Sequence, residues 1–159
     1  MDSLANLLIK RAENEIVIAE KLMGMSDDDE VRAFMQIQHD MTFYSAVISH
    51  AYYSIFYGAK SMLLAKGIST SAPEVHKATY EAFKRNLVDT GVLDAKLLEI
   101  YRTAVVRADD LLGIFRTEKW KRGNFTYNTI PQANREPAED SLRNAKMFVF
   151  NIANAAKKM

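Results

Sequence analysis

The sequence predicts an all-α protein: an antiparallel bundle of four or five helices that forms a single domain over residues 1–159. Three observations support this prediction. The 159 residues are 48% apolar and 26% charged, which is typical of a globular domain large enough to bury a core. Six glycines and three prolines are too few for the many turns of an all-β sandwich. Apolar residues recur at intervals of three and four along most of the chain, which is the spacing of an amphipathic helix.

Two helices are predicted at the N-terminal end. The first covers residues 3–23 and ends at Gly24. Ser26 followed by Asp29 resembles a capping box, and it opens a short second helix that ends near Gln38. The residues expected on the buried face of the first helix are Leu4, Leu8, Ile16, Ala19 and Met23.

The next helix is apolar on most of its circumference. Asp40 or Thr42 caps it, and it runs to Lys66, with Gly67 as a left-handed C-terminal cap. Such a helix is expected at the centre of the bundle. Within it, we expect His50 to be a buried, hydrogen-bonded residue. The aromatic residues of this stretch are more typical of a core or a dimer face than of a base-stacking surface, and they are Phe43, Tyr44, Tyr52, Tyr53, Phe56 and Tyr57.

Three more helices are predicted in the rest of the chain. Residues 71–88 start with a capping signal and a proline at the first helical position, and residues 90–91 end that helix. Asp94 caps the next one, residues 123–136 form a loop, and Pro137 opens the last helix. The expected buried residues are Leu97, Tyr101, Ala104, Ala108, Leu111 and Phe115 in the helix after Asp94, and Leu142, Ala145, Val149, Ile152 and Ala156 in the last helix.

Several classes of function are excluded by composition and motif. The chain has no cysteine, so disulfides and thiolate chemistry are absent. It has no Glu-x-x-His pair, no helical zincin motif and no glycine-rich phosphate loop, and we expect neither a metal nor a cofactor. The acidic run at residues 27–30 is interpreted as the first turn of a helix and not as a cation site. No targeting signal or membrane span is expected, which favours a cytoplasmic location without membrane contact.

The candidate functional residues lie in one basic, aromatic segment, residues 116–127, with the sequence RTEKWKRGNFTY. The formal net charge of the chain is only +1, but the seven basic and ten acidic residues of 1–80 contrast with fourteen and ten in 81–159. Cations contact phosphate and aromatic faces stack on bases, so this segment is typical of a site for single-stranded nucleic acid or a nucleotide. The alternative is a helix end whose cations complement the dipole, with Trp120 in the core. The candidate binding residues are Arg116, Lys119, Lys121, Arg122, Asn124 and Tyr127.

The chain resembles the HEPN family of helical domains over residues 43–152. The resemblance lies first in the helix HAYYSIFYGAKSMLLAKG at residues 50–67. It continues with His76, which is followed by a helix that contains Phe83, and with the sequence Thr-Gly-Val-Leu at 90–93. A long helix ending in arginine, a loop carrying a tyrosine and an alanine-rich last helix complete it. The resemblance implies an antiparallel helical bundle that forms a homodimer. It also implies either pairing with a small nucleotidyltransferase, as toxin and antitoxin or as an unassigned two-protein system, or a non-catalytic module that binds RNA or nucleotides.

Many members of that family resemble metal-independent ribonucleases whose signature is an arginine and a histidine separated by four to six intervening residues. Arg122 fits the arginine, but Tyr127 stands where the histidine is expected. A tyrosine hydroxyl titrates near 10 and an imidazole near 6.5, so tyrosine is a poor general base at neutral pH. Arg32 and His39 have a similar spacing, but they lie before the aromatic helix, in the wrong part of the fold, and we interpret that pair as coincidence.

Three hypotheses follow. The first is a dimeric module, working with a partner protein, that binds RNA or a nucleotide through the 116–127 segment. The second is a metal-independent endoribonuclease in which Arg122 clamps phosphate and Asn124 and Tyr127 orient the phosphate or water. There, His50 would transfer the proton if it reached the same cleft. The third is a protein-interaction scaffold whose basic segment is only surface.

Overall fold

The computed structural model describes residues 3–71, 73–112 and 134–158, and every regular element within those ranges is helical. The prediction of an all-α bundle is therefore confirmed. A π-helical segment, Lys84–Val88, directly continues the fourth helix. The helices are α1 (Ser3–Asp27), α2 (Asp29–Phe34), α3 (Tyr44–Ala65), α4 (Val75–Phe83), α5 (Ala95–Leu112) and α6 (Arg135–Lys157).

Helices α1 and α3 are antiparallel and pack closely through small residues. The hydroxyl of Ser61, near the end of α3, donates to the carbonyl of Ala5 at 2.6 Å. At the opposite end, the backbone N–H of Phe43 donates to the Ser26 hydroxyl at 2.8 Å. Side chains this small let two helix backbones approach one another. The residues that recur every seven positions on this face of α1, all buried, are Ala5, Ala12, Ala19 and Ser26.

Helix α6 is also antiparallel to α1. Lys146 lies 3.3 Å from the carboxylate of Glu20, and Arg135, at the start of α6, lies 3.5 Å from Asp27 at the end of α1. Both pairs are largely exposed and contribute little stability individually. They do, however, establish that α1 has antiparallel neighbours on two sides.

Helix α3 is the central helix, as its sequence predicts. Twelve of its 22 residues are buried, and it contacts α1, α4, α5 and α6. The core beside it contains edge-to-face aromatic pairs, with the Tyr101 ring centroid 5.1 Å from Tyr80 and 5.4 Å from Phe83. Such pairs contribute about 0.5–1.5 kcal/mol beyond the burial of their area. No helix in the described part of the chain is both long and apolar enough to cross a membrane.

The predicted end of α1 and start of α2 are wrong. Helix α1 continues through Gly24 to Asp27, because Ser26 is buried and its hydroxyl is bonded both to Leu22 and to the start of α3. These tertiary contacts outweigh the low helix propensity of one glycine. Asp28, not Ser26, caps α2 by accepting hydrogen bonds from two backbone N–H groups, and α2 ends at Phe34.

The other helix boundaries are closer to the prediction. Gly67 has a φ of 79° and follows α3 as the left-handed residue, and the Asp94 carboxylate accepts a hydrogen bond from the Lys96 N–H at 2.8 Å. Three starts differ. Neither Asp40 nor Thr42 caps α3, which begins after Phe43 without a side-chain cap, and α4 and α6 begin after Glu74 and Asn134.

Two residues expected in the core are exposed. Leu4 is 52% exposed because the buried face of α1 is centred on its alanines, and Leu111, near the end of α5, is 37% exposed. Leu8, Met23 and Ala104 are half-buried, and Phe115 lies outside the described residues. The expected core residues that the structure confirms are Ile16, Ala19, Leu97, Tyr101, Ala108, Leu142, Ala145, Val149, Ile152 and Ala156.

Candidate functional site

All the candidate site residues of the basic segment lie outside the described part of the chain. The predicted loop at 123–136 falls there too, apart from its last three residues. What the structure does give is the two helix ends that flank this stretch in sequence, the C-terminal end of α5 and the N-terminal end of α6. The residues concerned are Arg116, Lys119, Lys121, Arg122, Asn124 and Tyr127.

A network of charged side chains joins these two helix ends. Arg107 of α5 donates to the Asp140 carboxylate at 2.6 Å and to the Ser141 hydroxyl at 3.2 Å. Arg143 donates to the other Asp140 oxygen at 2.7 Å. The side-chain amide of Asn144 donates to Asp140 Oδ2 at 3.4 Å. Two guanidinium groups therefore share one carboxylate, so these three charged side chains sum to one net positive charge.

A histidine packed among aromatic rings forms the second polar site, which we call the His76 cluster: Tyr52, Tyr53, Phe56, Lys60 and His76. The Tyr52 hydroxyl and His76 Nδ1 are hydrogen-bonded at 2.8 Å. The imidazole lies 4.4 Å from the Phe56 ring and 6.0 Å from that of Tyr53, centroid to centroid. The Lys60 ammonium sits over the Phe56 ring at 5.6 Å. Helix α3 supplies four of the five residues because they recur at helical spacing.

The surroundings of His76 favour its neutral form. Burial lowers the pKa of the imidazole, and the nearby positive charge of Lys60 lowers it further. Burial raises the pKa of the Tyr52 hydroxyl well above its usual value, so this group keeps its proton. A neutral imidazole held at Nδ1 is chemically suited to exchange protons near pH 7, and an adjacent ammonium group is suited to attract phosphate.

Asp109 is a buried carboxylate near the end of α5, and its charge is one of the influences that raise the pKa of Tyr52. Neither Asp109 nor His76 was predicted from the sequence as a site residue, although His76 is one of the residues that carry the family resemblance. A helical-wheel projection would have placed each of them on the same helix face as core residues. Asp109 shares the face of Leu98 and Val105, and His76 shares the face of Tyr80 and Phe83.

His50, the candidate proton-transfer residue of the ribonuclease hypothesis, faces α1. Its Nδ1 lies 2.5 Å from the Glu15 carboxylate, and the ring is half-buried. The expected hydrogen bond is confirmed, although burial is only partial. On the same face, the Arg11 guanidinium lies 4.5 Å above the Tyr57 ring. Tyr52 and Phe56 are buried, as expected for core residues, whereas Tyr53 and Tyr57 are half-buried.

The Arg32 guanidinium has a structural role. It donates hydrogen bonds to five backbone carbonyls that surround the loop between α2 and α3, and the carbonyl of His39 is one of them. This arrangement agrees with the interpretation of the Arg32–His39 spacing as coincidence. The acidic run is also used structurally, since Asp28 caps α2 and Asp27 pairs with Arg135. The described residues contain no group of three or more side chains able to hold a metal ion.

Comparison with known proteins relates the chain to three others. It is 28% identical over 116 residues to the Methanocaldococcus jannaschii protein named "Putative toxin MJ0605", which covers 73% of each chain. It is 29% identical over 97 residues to "Putative toxin MJ0142" of the same organism, covering 61% of this chain and 53% of that protein. It is 28% identical over 107 residues to the "UPF0332 protein" of Thermotoga maritima, covering 67% and 68%. No family model matches the chain, and no solved structure matches it. The chain is thus an all-α protein similar to two archaeal proteins named as toxins.

Proposed function

We propose that this chain is a HEPN-like, toxin-type module that acts by binding RNA or a nucleotide. The observation that carries the proposal is the similarity to the two M. jannaschii proteins, one of them matched over 73% of both chains. The helical architecture and the family resemblance of residues 43–152 support the same assignment. In this proposal the module is a cytoplasmic homodimer, and a nucleotidyltransferase-type protein is its partner.

The binding residues are those of the basic segment. Arg116, Lys119, Lys121 and Arg122 contact phosphate, while Asn124 and Tyr127 contact the base or sugar. The positively charged network of Arg107 and its neighbours flanks this segment in sequence, which adds to the local attraction for a polyanion. Dimerisation would bring two copies of the segment together.

Fluorescence anisotropy of a labelled single-stranded RNA at low salt tests this proposal. We expect the wild-type chain to bind and the Arg122→Ala variant to bind about tenfold more weakly, because one strong phosphate contact is lost. Lys157→Ala, which removes an exposed cation near the end of α6, is the matched control and should leave the affinity nearly unchanged. Equal affinities for wild type and Arg122→Ala would overturn the proposed site. Sedimentation of the wild type tests the dimer separately.

The second candidate function is a metal-independent endoribonuclease, and the His76 cluster favours it. The 2′-hydroxyl of RNA would attack the adjacent phosphorus and pass its proton to a base, while the departing 5′-oxygen takes up a proton. The products are a 2′,3′-cyclic phosphate and a 5′-hydroxyl. A neutral imidazole beside an ammonium group fits that chemistry better than Tyr127 does.

Cleavage of RNA in the presence of EDTA separates the two functions. For the ribonuclease, we expect wild type to cut and both Arg122→Ala and His76→Gln to lose activity, with the acidic limb of the pH–rate profile depending on His76. If no protein cuts but RNA is retained, the binding module stands. A scaffold would neither cut nor retain RNA at low salt, where phosphate contacts are strongest.

A further inference from the structure

Three large apolar side chains are exposed close together in sequence at the loop end of the bundle. Phe34 is 89% exposed, Met35 49% and Met41 44%. These three residues belong to α2 and the loop that leads into α3, a region we call the acidic tip (residues 28–43). Large side chains exposed singly are ordinary, but a group of them on one short element is typical of a surface that another molecule covers.

Hydrogen bonds fix the conformation of the acidic tip, so the exposure of Phe34 is not a consequence of a loose loop. The Arg32 guanidinium donates hydrogen bonds of 2.8–3.2 Å to five backbone carbonyls, including those of Met25 and Met41. The end of the loop is also fixed to α1, because the Phe43 N–H donates a hydrogen bond to the Ser26 hydroxyl. A fixed loop presents its apolar side chains without the entropy cost of ordering them on binding.

Charge selects the kind of partner. The tip carries four exposed carboxylates against one arginine, whose guanidinium is hydrogen-bonded to backbone carbonyls, so the tip is negatively charged overall. RNA and anionic membranes would be repelled by this negative charge. A positively charged polypeptide would be attracted, which raises the association rate and favours that partner over others. The carboxylates belong to Asp28, Asp29, Glu30 and Asp40.

We propose that the acidic tip docks a basic segment of a partner protein, with Phe34 as the central anchor. The apolar side chains of that segment cover Phe34 and the two methionines, and its lysines or arginines pair with the exposed carboxylates of the tip. Methionine side chains adapt to differently shaped apolar partners, and buried aromatic anchors dominate the affinity of such interfaces. The inference does not depend on RNA binding, because none of the residues it names belongs to the 116–127 segment.

Selection of peptides on the whole chain tests the proposal even though the partner is unidentified. A displayed library of random peptides about twelve residues long is selected on wild type, and the recovered peptides are then titrated against variants. We expect the recovered sequences to be rich in lysine or arginine combined with aliphatic or aromatic residues. We expect Phe34→Ser to weaken their binding at least about tenfold, and Asp29→Asn with Glu30→Gln to weaken it and reduce its salt dependence.

Phe150→Ser is the matched control, because Phe150 is an exposed phenylalanine (67%) on α6. It should bind the selected peptides like wild type, and circular dichroism should show the same helix content for all variants. Recovery of acidic or uncharged peptides, or equal binding by Phe34→Ser and wild type, would overturn the proposal. So would self-association of the wild type that Phe34→Ser abolishes, since a second copy would then cover the tip.

Discussion

Arg32 and Arg107 show how differently the same side chain is used at two places in this molecule. The Arg32 guanidinium donates to neutral backbone carbonyls and fixes the loop between α2 and α3. Arg107 donates to the carboxylate of Asp140 and connects α5 to α6. The first arrangement shapes the backbone, whereas the second joins two helices by charge. The sequence alone does not show which role an arginine has, because the role depends on the groups that the fold places next to the guanidinium.

The nature of the partner sets how each arginine responds to salt. Hydrogen bonds to carbonyls do not need a second charge, so they are screened little by added ions. The Arg107–Asp140 pair is 24% and 30% exposed, so solvent and salt weaken it. Measurements of stability at two salt concentrations therefore separate the two roles.

The largest effect is expected for Arg32→Ala. The substitution removes five hydrogen bonds from the carbonyls around one loop, and we expect a loss of about 2–4 kcal/mol in the free energy of unfolding. Urea denaturation checks this value, and it should be nearly the same at low and high salt. Arg32→Lys keeps the charge but not the fork of donors and should recover only part of the loss. A loss below about 0.5 kcal/mol for Arg32→Ala would contradict the structural role.

Arg107→Ala is expected to cost less, about 1–2 kcal/mol at low salt. The charge pair is partly exposed, and Asp140 keeps Arg143 and Asn144 as partners. The cost should shrink when the same denaturation is repeated at high salt. A cost that does not change with salt would make Arg107 resemble Arg32 and would remove the contrast between them.

Two buried tyrosines extend the comparison to hydroxyl groups. Tyr52→Phe removes the hydrogen bond to His76 and should cost about 1 kcal/mol. The Tyr101 hydroxyl is buried with no hydrogen-bond partner in the described structure, so Tyr101→Phe should be neutral or slightly stabilising. Thermal denaturation of both variants side by side measures the difference. The reverse order of stability would show that Tyr101, and not Tyr52, has the stronger partner.

The smallest effect concerns pH. Burial and Lys60 lower the pKa of His76 in the folded chain below its ordinary value of 6.5, so the unfolded chain binds a proton there more readily. Stability therefore falls as the pH drops below about 6.5. His76→Gln should show a shallower fall between about pH 7 and 5 than wild type. Identical slopes for wild type and His76→Gln would contradict this description of the cluster.

Much of the fold could be predicted because amphipathic periodicity and glycine caps are local properties. The central position of α3, the cap at Gly67 and the buried face of α6 were all available from spacing. The alanine face of α1 was not, since alanine is buried or exposed with similar ease, and only contact with Ser61 and its neighbours on α3 determines which. The end of α1 was likewise set by a distant residue, Phe43, and not by Gly24.

The candidate site was only partly predictable. The basic segment is evident from composition alone, because clustered cations and aromatic residues have a direct chemical meaning. The His76 cluster required two helices to meet, so His76 and Tyr52 looked unrelated until α3 and α4 were in contact. The role of Arg32 was invisible for the same reason, since its partners are backbone carbonyls that any residue could supply.

The most direct test is a comparison of RNA binding by wild type, Arg122→Ala and Phe34→Ser, measured by anisotropy at two salt concentrations. We predict that Arg122→Ala loses about tenfold in affinity and has a salt slope smaller by roughly one. Phe34→Ser, at the acidic tip, should match wild type. Equal binding by all three proteins, or an equal loss in both variants, would contradict the claim that the basic segment contacts RNA while the acidic tip serves a different partner.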